Sequence, residues 1–172
     1  MSNRTEQALL IAFSDLHGYS RHASRTPDAE VAETMEQLYQ RTEAAVAKAG
    51  GRVVKFIGDS AMMVFPEDAV DRGVHALLDL KDDVEQWLAT IGWKSNMVVK
   101  AHYGTVIAGS YGAQQRFDVI GFAVNTAAML DSRGFALSAQ AFRKLAPDTR
   151  KRFKKHTPPI TYIRAEDPHN WR

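Results

Sequence analysis

The stretch from Gly50 to Phe65 reads GGRVVKFIGDSAMMVF, and it contains two short apolar segments joined by Gly58-Asp59-Ser60. β-branched and aromatic side chains on both sides of a tight, glycine-containing turn predict a β-hairpin. A helical stripe of apolar residues between Val31 and Val46 precedes this hairpin, and a second amphipathic helix from Asp68 to Leu88 follows it. The hairpin therefore lies between two helices.

The order of the elements around this hairpin predicts the fold class. Apolar segments at residues 8–13 and 97–102 predict one strand before the first helix and one after the second. The resulting order, β-α-β-β-α-β, is that of a ferredoxin-like core in an α+β fold. Further elements are expected as C-terminal additions: strands at 106–108, 117–120 and 160–163, a short helix at 124–130, and a segment at 139–145 that precedes a basic stretch.

Composition limits the classes of protein to which the chain can belong. It has 172 residues, and we expect a single domain over residues 1–172. Its 22 basic and 20 acidic residues give a net charge of +2, which argues against a nucleic-acid binder that relies on overall charge. The absence of cysteine excludes disulfides, thiolate metal sites and a cysteine nucleophile. Because no apolar run reaches the ~20 residues of a membrane span, and the first residues do not resemble a signal peptide, we expect a cytoplasmic protein without membrane partners.

Two acidic residues lie where predicted strands end or turn. Asp15 follows the first apolar strand, and Asp59 lies in the hairpin turn. In a ferredoxin-like core the first strand neighbours this hairpin, so we expect the two carboxylates to meet. Two carboxylates at one place suit Mg²⁺, and paired Mg²⁺ ions serve phosphoryl displacement. Taken singly, Asp15 also fits a helix cap and Asp59 an ordinary turn residue.

Four segments of the chain carry a resemblance to a known family. In chain order they are residues 11–20 (IAFSDLHGYS), 50–65 (quoted above), 101–112 (AHYGTVIAGSYG) and 116–130 (RFDVIGFAVNTAAML). They resemble, in the same order and at similar spacing, motifs of the class III nucleotidyl cyclases, the adenylate and guanylate cyclase catalytic domains. The resemblance covers residues 9–130 and implies a cyclase homology domain built on the ferredoxin-like core.

The resemblance implies a head-to-tail homodimer with two active sites in its interface. In each site one subunit would hold two Mg²⁺ or Mn²⁺ ions through Asp15, Asp59 and the Leu16 carbonyl. Backbone N–H groups of Gly18-Tyr19-Ser20 would bind phosphate at a helix start. The reaction would be attack of the ribose 3′-oxygen on the α-phosphorus of a nucleoside triphosphate, with release of pyrophosphate.

The same resemblance assigns recognition of the nucleoside to the other subunit. Lys55 and Asp118 would bind the base, and Asn125 the ribose. A donor beside an acceptor fits N1 and N6 of adenine, and equally N3 and N4 of cytosine. In the family, a lysine and an aspartate at these positions imply ATP, which is the first expectation. The alternative is a stand-alone pyrimidine cyclase of the antiphage type, which makes cyclic CMP or cyclic UMP as a second messenger.

Two positions depart from the family pattern. The family has an arginine four residues after Asn125, where this chain has Met129, and loss of one such donor costs about 10²–10³ in rate. Arg133 is the expected replacement because residues i and i+4 share a helix face; as an ordinary helix-end residue it would bind the last carbonyls instead. Val98 replaces a phosphate-contacting arginine of the family, and Lys100, on the same strand face, is the expected phosphate ligand.

Two further hypotheses do not involve catalysis. Met129 would suit a cyclase fold that has lost its activity and serves as a binding or dimerisation module, although the retention of Asp15 and Asp59 argues against it. The basic stretch from Arg143 to His156 would suit an RNA-binding surface. Because no strand has the aromatic residues of an RRM, we expect this stretch to be a solvated helix face, with no nucleic-acid partner.

Overall fold

The hairpin and its two flanking helices form as the sequence predicts, in a computed structural model that describes residues 3–169. The strands are β1 (Thr5–His17), β2 (Arg52–Ile57), β3 (Ser60–Pro66), β4 (Asn96–Tyr111), β5 (Arg116–Ile120), β6 (Phe135–Leu137), β7 (Phe153–His156) and β8 (Thr161–Arg164). The helices are α1 (Tyr19–Ala23), α2 (Asp28–Lys48), α3 (Val70–Thr90), α4 (Phe122–Met129), α5 (Ala139–Arg143) and α6 (Pro147–Arg150). A 3-10 turn, Glu67–Ala69, leads into α3.

The first half of the sheet has the ferredoxin-like strand order. β2 pairs with β3, β3 with β1, and β1 with β4, and each pair is antiparallel. The β1–β4 pairing runs from Thr5↔Ala108 to His17↔Asn96. Beyond β4 the sheet continues through β6, β8 and β7, while β5 pairs with the second half of β4. The predicted α+β fold with C-terminal additions is confirmed.

Helices cover both faces of this sheet and fix the direction of its side chains. α2 and α3 pack on one face, where Leu10 and Phe65 are fully buried. α4 packs on the other face over a smaller cluster that includes Ile11 and Ala123. Because successive residues of β1 are buried on opposite faces, the register of this strand is fixed up to its end. None of the helices among residues 3–169 combines the length and the apolar character that crossing a membrane requires.

β4 is longer than the sequence suggested. We expected two separate strands because residues 103–105 interrupt the apolar pattern, but Asn96–Tyr111 is one strand. Gly104 pairs with Leu9 of β1. A Cβ atom at this glycine would lie 2.8 Å from the Cβ of Ala123 in α4. Gly104 therefore allows the close approach of a helix and does not break the strand.

The basic stretch 143–156 does not form the solvated helix face that the sequence suggested. It contains α6 and then β7, which pairs with β8 and buries Phe153. Arg164 of β8 donates hydrogen bonds of 2.7 and 2.8 Å to the two carboxylate oxygens of Asp82 in α3. β7 was not predicted because its four residues, Phe153–His156, include a single apolar side chain and so show no hydrophobic pattern.

Candidate active site

The end of β1 and the β2–β3 turn bring the two candidate metal ligands to one place. β1 pairs with β3 as far as Ser14↔Ala61, so the next residue of β1 lies beside the turn that precedes β3. The backbone N–H of Leu16 donates a hydrogen bond of 2.9 Å to Oδ2 of Asp59. Asp15 and Asp59 both line a surface depression of about 360 Å³. The two carboxylates therefore meet, as the strand order requires.

The charges at this depression raise the proton affinity of Asp15. Partial burial raises the pKa of the Asp15 carboxyl above its usual value, and the neighbouring charge of Asp59 raises it further. Lys100 and His17 act in the opposite direction and lower this pKa. A pair of carboxylates whose repulsion is only partly offset by these groups favours the binding of a cation.

The donor set fits a divalent ion that takes its remaining ligands from a substrate. Residues 3–169 contain no group of three or more histidine, aspartate or glutamate side chains that could hold a metal ion without other ligands. Mg²⁺ is usually bound by one or two carboxylates together with substrate phosphates and water. Asp15 and Asp59, with the backbone of Leu16 beside them, meet this requirement.

The predicted phosphate-binding segment lines the same depression. Gly18 has a φ of +94°, a left-handed conformation that turns the chain from β1 into α1. Tyr19 and Ser20 follow it along the wall of the depression. Arg21, which the sequence analysis did not single out, also lines the depression and adds a positive charge to it. Carboxylates and candidate phosphate ligands thus share one surface.

Lys100 lies between the carboxylates and α4. Its Nζ donates a hydrogen bond to the carbonyl oxygen of Ala128, near the end of that helix. Lys100, Ala128 and Asp15 line a small cavity of about 180 Å³, and Val98 lies in the same wall. A positive charge is therefore present beside Asp15 without the family's arginine at position 98.

Lys55 and Asp118 are in contact within one chain, although 63 residues separate them. Lys55 lies on β2 and Asp118 on β5, and Nζ of Lys55 is 2.6 Å from Oδ2 of Asp118. The other oxygen of Asp118 accepts the backbone N–H of Val119 at 2.8 Å. Neither Lys55 nor Asp118 lines the depression formed by Asp15 and Asp59. The candidate base-binding pair and the carboxylate pair are thus two separate clusters on one subunit.

α4 carries Asn125 and ends at Met129, so Arg133 does not lie on this helix. Asn125 is exposed, and so are Phe122 and Met129 at the two ends of the helix, with 84% and 83% of their surface accessible. The helix ends at Met129, and Leu130 is extended with a ψ of 133° because the chain turns here towards β6. The prediction that Arg133 shares a helix face with Met129 is wrong.

Sequence reasoning also missed a contact that holds the β2–β3 turn. The hydroxyl of Tyr39 in α2 donates a hydrogen bond of 2.5 Å to the carbonyl oxygen of Gly58. Tyr39 follows Leu38 at the edge of the buried stripe of α2, where a side chain with an apolar body and a polar tip is typical. This position could have marked Tyr39 as a residue with a hydrogen-bonding partner. The sequence does not show that the partner is the carbonyl of Gly58, because Gly58 lies in another element.

Comparison with known proteins identifies relatives that include enzymes. The family model described as the adenylate and guanylate cyclase catalytic domain matches residues 1–157. Adenylate cyclase 2 of Rhizobium meliloti (strain 1021) is 26% identical over 170 residues, which are 94% of this chain and 45% of the relative. The adenylate cyclase of Anabaena cylindrica is 26% identical over 133 residues, 72% of this chain and 26% of the relative. The chain spans less than half the length of either protein.

Solved structures of cyclases have the same fold. A bacterial light-regulated adenylyl cyclase matches 95% of this chain and 53% of its own chain with a TM-score of 0.82 and 22% identity. The adenylyl cyclase CyaB from P. aeruginosa matches 96% of this chain and 97% of its own, again with a TM-score of 0.82, at 16% identity. These structures share the fold, and the family model matches most of the chain. The chain therefore belongs to the family of adenylate and guanylate cyclase catalytic domains.

Proposed function

We propose that this chain is a nucleotide cyclase that converts a nucleoside triphosphate, with ATP as first choice, to a 3′,5′-cyclic nucleotide and pyrophosphate. The observation that carries the proposal is the convergence of Asp15 and Asp59 beside the Gly18–Ser20 segment. Family membership supports the reaction class, and the names of two relatives support ATP. Residues 1–172 are proposed to form one catalytic domain.

Each residue at the depression has a separate task in this proposal. Asp15, Asp59 and the Leu16 carbonyl hold two Mg²⁺ or Mn²⁺ ions, which supply Lewis-acid chemistry by lowering the pKa of the 3′-hydroxyl and neutralising phosphoryl charge. The backbone of Gly18–Ser20 binds the triphosphate. Lys100 provides a positive charge for phosphoryl oxygens, since its ammonium lies beside Asp15.

A second copy of the chain is proposed to complete each active site. The Lys55–Asp118 pair lies outside the depression that contains the carboxylates, an arrangement that suits a nucleotide held between two subunits. Large apolar side chains are exposed beside the functional residues: Ile57 next to the turn, 70% accessible, and Phe122 on α4. We take these side chains as candidates for burial in the interface between the two subunits. In the homodimer, Lys55 and Asp118 of the partner subunit bind the base, and Asn125 of the partner subunit the ribose.

The Lys55–Asp118 pair supports two bases. Nζ of Lys55 can donate to a ring nitrogen, and the Asp118 carboxylate can accept from an exocyclic amine, as on adenine or cytosine. ATP is preferred because of the relatives, and CTP is the alternative that the same pair allows; a cyclic pyrimidine nucleotide would then be the second messenger of an antiviral system. A catalytically inactive binding module is the outcome that a negative test would favour.

The test is to incubate the purified protein with each of the four nucleoside triphosphates and Mg²⁺ or Mn²⁺, with product detection by mass spectrometry. We expect a 3′,5′-cyclic product from ATP. We expect the substitution Asp59→Asn to lower the rate by about 100-fold or more, since it removes one of two metal-binding carboxylates. Asp148→Asn is the control, because Asp148 is exposed and pairs with Lys151 away from the depression.

Three outcomes contradict parts of this proposal. A product from CTP or UTP alone replaces ATP with a pyrimidine nucleotide. Normal turnover by Asp59→Asn removes the metal assignment. No cyclic product from any of the four nucleotides rejects the enzyme and leaves the binding module.

A further inference from the structure

We propose that Tyr39 is a positioning residue for the Asp59 carboxylate: its hydroxyl holds the β2–β3 turn in the orientation in which Asp59 meets Asp15. The inference rests on the proposed function, since it concerns the affinity of this pair of carboxylates for a divalent ion. Tyr39 lies on α2 and is not itself a metal ligand in this proposal.

Two hydrogen bonds from outside the hairpin reach this turn within residues 3–169. The hydroxyl of Tyr39 donates to the carbonyl oxygen of Gly58 at 2.5 Å, and the N–H of Leu16 donates to Oδ2 of Asp59 at 2.9 Å. The ring of Tyr39 also stacks on Phe56, with centroids 4.0 Å apart and planes 17° from parallel. The turn is therefore held from α2 through its backbone and from β1 through the Asp59 side chain.

The turn needs this support because little else packs against it. Gly58 has a φ of +59°, and a Cβ atom built on it would meet no atom within 4 Å. Ile57, on the other side of the glycine, is 70% exposed. The turn is thus a projecting tip, and the negative charges of Asp59 and Asp15, which line the same depression, repel each other and act to separate the two side chains.

The hydrogen bond from Tyr39 opposes this separation at a precise point in the chain. The carbonyl of Gly58 and the nitrogen of Asp59 belong to the same planar peptide group. A hydrogen bond that fixes this carbonyl therefore fixes the plane from which the Cα and the side chain of Asp59 extend. A metal ion then binds carboxylates that are already in place, and no binding free energy is lost in ordering the tip.

The test separates the hydroxyl of Tyr39 from its ring. Tyr39→Phe keeps the stacking on Phe56 and removes only the hydrogen bond to Gly58. Tyr111→Phe is a matched control, because the hydroxyl of Tyr111 also donates to a backbone carbonyl, that of Ile107, at 3.1 Å. Binding of Mn²⁺ is measured by electron paramagnetic resonance in the presence of a 3′-deoxynucleoside triphosphate, which supplies phosphate ligands and cannot cyclise, and amide hydrogen exchange is followed at residues 58–60.

We expect Tyr39→Phe to weaken Mn²⁺ binding by about 5-fold or more and to speed exchange at residues 58–60 by a similar factor. The Tyr111→Phe control should change neither, and both variants should melt within a few degrees of the original protein. Unchanged Mn²⁺ affinity and unchanged exchange in Tyr39→Phe would overturn the positioning role.

The proposed function fails in a different way. If the original protein makes cyclic product and binds Mn²⁺ through Asp59, but Tyr39→Phe behaves like the control, only the role of Tyr39 is rejected. If the original protein binds no Mn²⁺, or if Asp59→Asn leaves that binding intact, the metal site and the role of Tyr39 are rejected together.

Discussion

Met129 and Arg133 are the two residues on which the prediction of a replacement for the family's arginine depends. Met129 is exposed at the end of α4, where the family has an arginine, and its thioether cannot donate a hydrogen bond to a developing oxyanion. Arg133 lies beyond the helix end, and its backbone carbonyl accepts a hydrogen bond of 2.7 Å from the side chain of Asn96. The segment that carries Arg133 is therefore attached to the start of β4.

We predict that Met129→Arg raises kcat by about 10-fold or more, because a donor returns to the exposed end of α4. Arg133→Ala should change kcat less than threefold, since the segment that carries Arg133 is hydrogen-bonded to the start of β4 and does not extend the helix. Steady-state kinetics with the preferred nucleotide measure both, with Met129→Leu as a control that cannot donate a hydrogen bond. A fall of about 100-fold in kcat for Arg133→Ala, with KM unchanged, would show instead that Arg133 supplies the missing cation.

The sequence was sufficient to predict that Asp15 and Asp59 lie together, but not to predict the hydrogen bonds that position them. Asp15 and Asp59 could be paired because strand order in a ferredoxin-like core is a strong rule, and this rule needs only the element order. The hydroxyl of Tyr39 and the N–H of Leu16 could not be found, because a side-chain contact with a backbone atom of another element leaves no pattern in the sequence. The placement of Arg133 on the surface of α4 was wrong, since helix ends are the least certain part of a helix prediction.

At the scale of elements, the attachment of β8 to α3 joins the C-terminal addition to the core. Both guanidinium NH₂ groups of Arg164 donate to the Asp82 carboxylate. These hydrogen bonds lower the pKa of Asp82 below its usual value, and partial burial acts against them. The folded state therefore prefers ionised Asp82, and its contribution to stability is present above the unfolded pKa and lost as the pH falls through the lowered folded pKa.

We predict that Asp82→Asn lowers stability at pH 7 by about 1 kcal/mol, a small value because half of the Asp82 side chain is exposed. Thermal unfolding should show this difference at pH 7 and lose it in acid, as the pH falls through the lowered folded pKa of Asp82 and the carboxyl becomes protonated in both states. Asp83→Asn, which removes a single exposed contact with Arg41, is the control and should change stability less. An equal loss at both pH values would mean that packing, and not charge, holds β8 on α3.

β4 illustrates what element prediction leaves out. Its residues 103–105 look like a break because hydrophobic alternation is interrupted there, yet they pair with residues 8–10 of β1 without interruption. The interruption has a tertiary cause, the approach of α4 to Gly104. Such a cause involves residues far apart in the sequence, so a local pattern does not contain it.

At the scale of the whole molecule, the separation of the two clusters predicts complementation between inactive chains. Asp59→Asn removes a candidate metal ligand, and Asn125→Ala removes the candidate ribose ligand, so each variant alone should be inactive. Mixed in equal amounts, they should regain about a quarter of the original activity, because half of the dimers are mixed and one of their two sites is intact. Activity of the mixture measures this, with mass spectrometry of the intact assembly to count mixed dimers.

The control for this experiment is a mixture of Asp59→Asn with Asp15→Asn, which affects the same cluster twice and should regain nothing. If the first mixture also stays inactive while mixed dimers are present, the carboxylates and Asn125 act on one nucleotide from the same chain.

In the proposed active site, the ion pair between Lys55 and Asp118 has a consequence for the selection of the nucleotide. In the free protein the two side chains neutralise each other at 2.6 Å, so an entering base competes with an internal ligand and not only with water. A base that satisfies both groups exchanges one pair of charge-assisted contacts for two others, at little net cost. A base that forms a hydrogen bond with only one of the two side chains leaves the other charge without a partner. The ion pair between Lys55 and Asp118 then re-forms and displaces the base. If Lys55 and Asp118 bind the base as proposed, the closed pair sets a threshold that rejects half-matched bases.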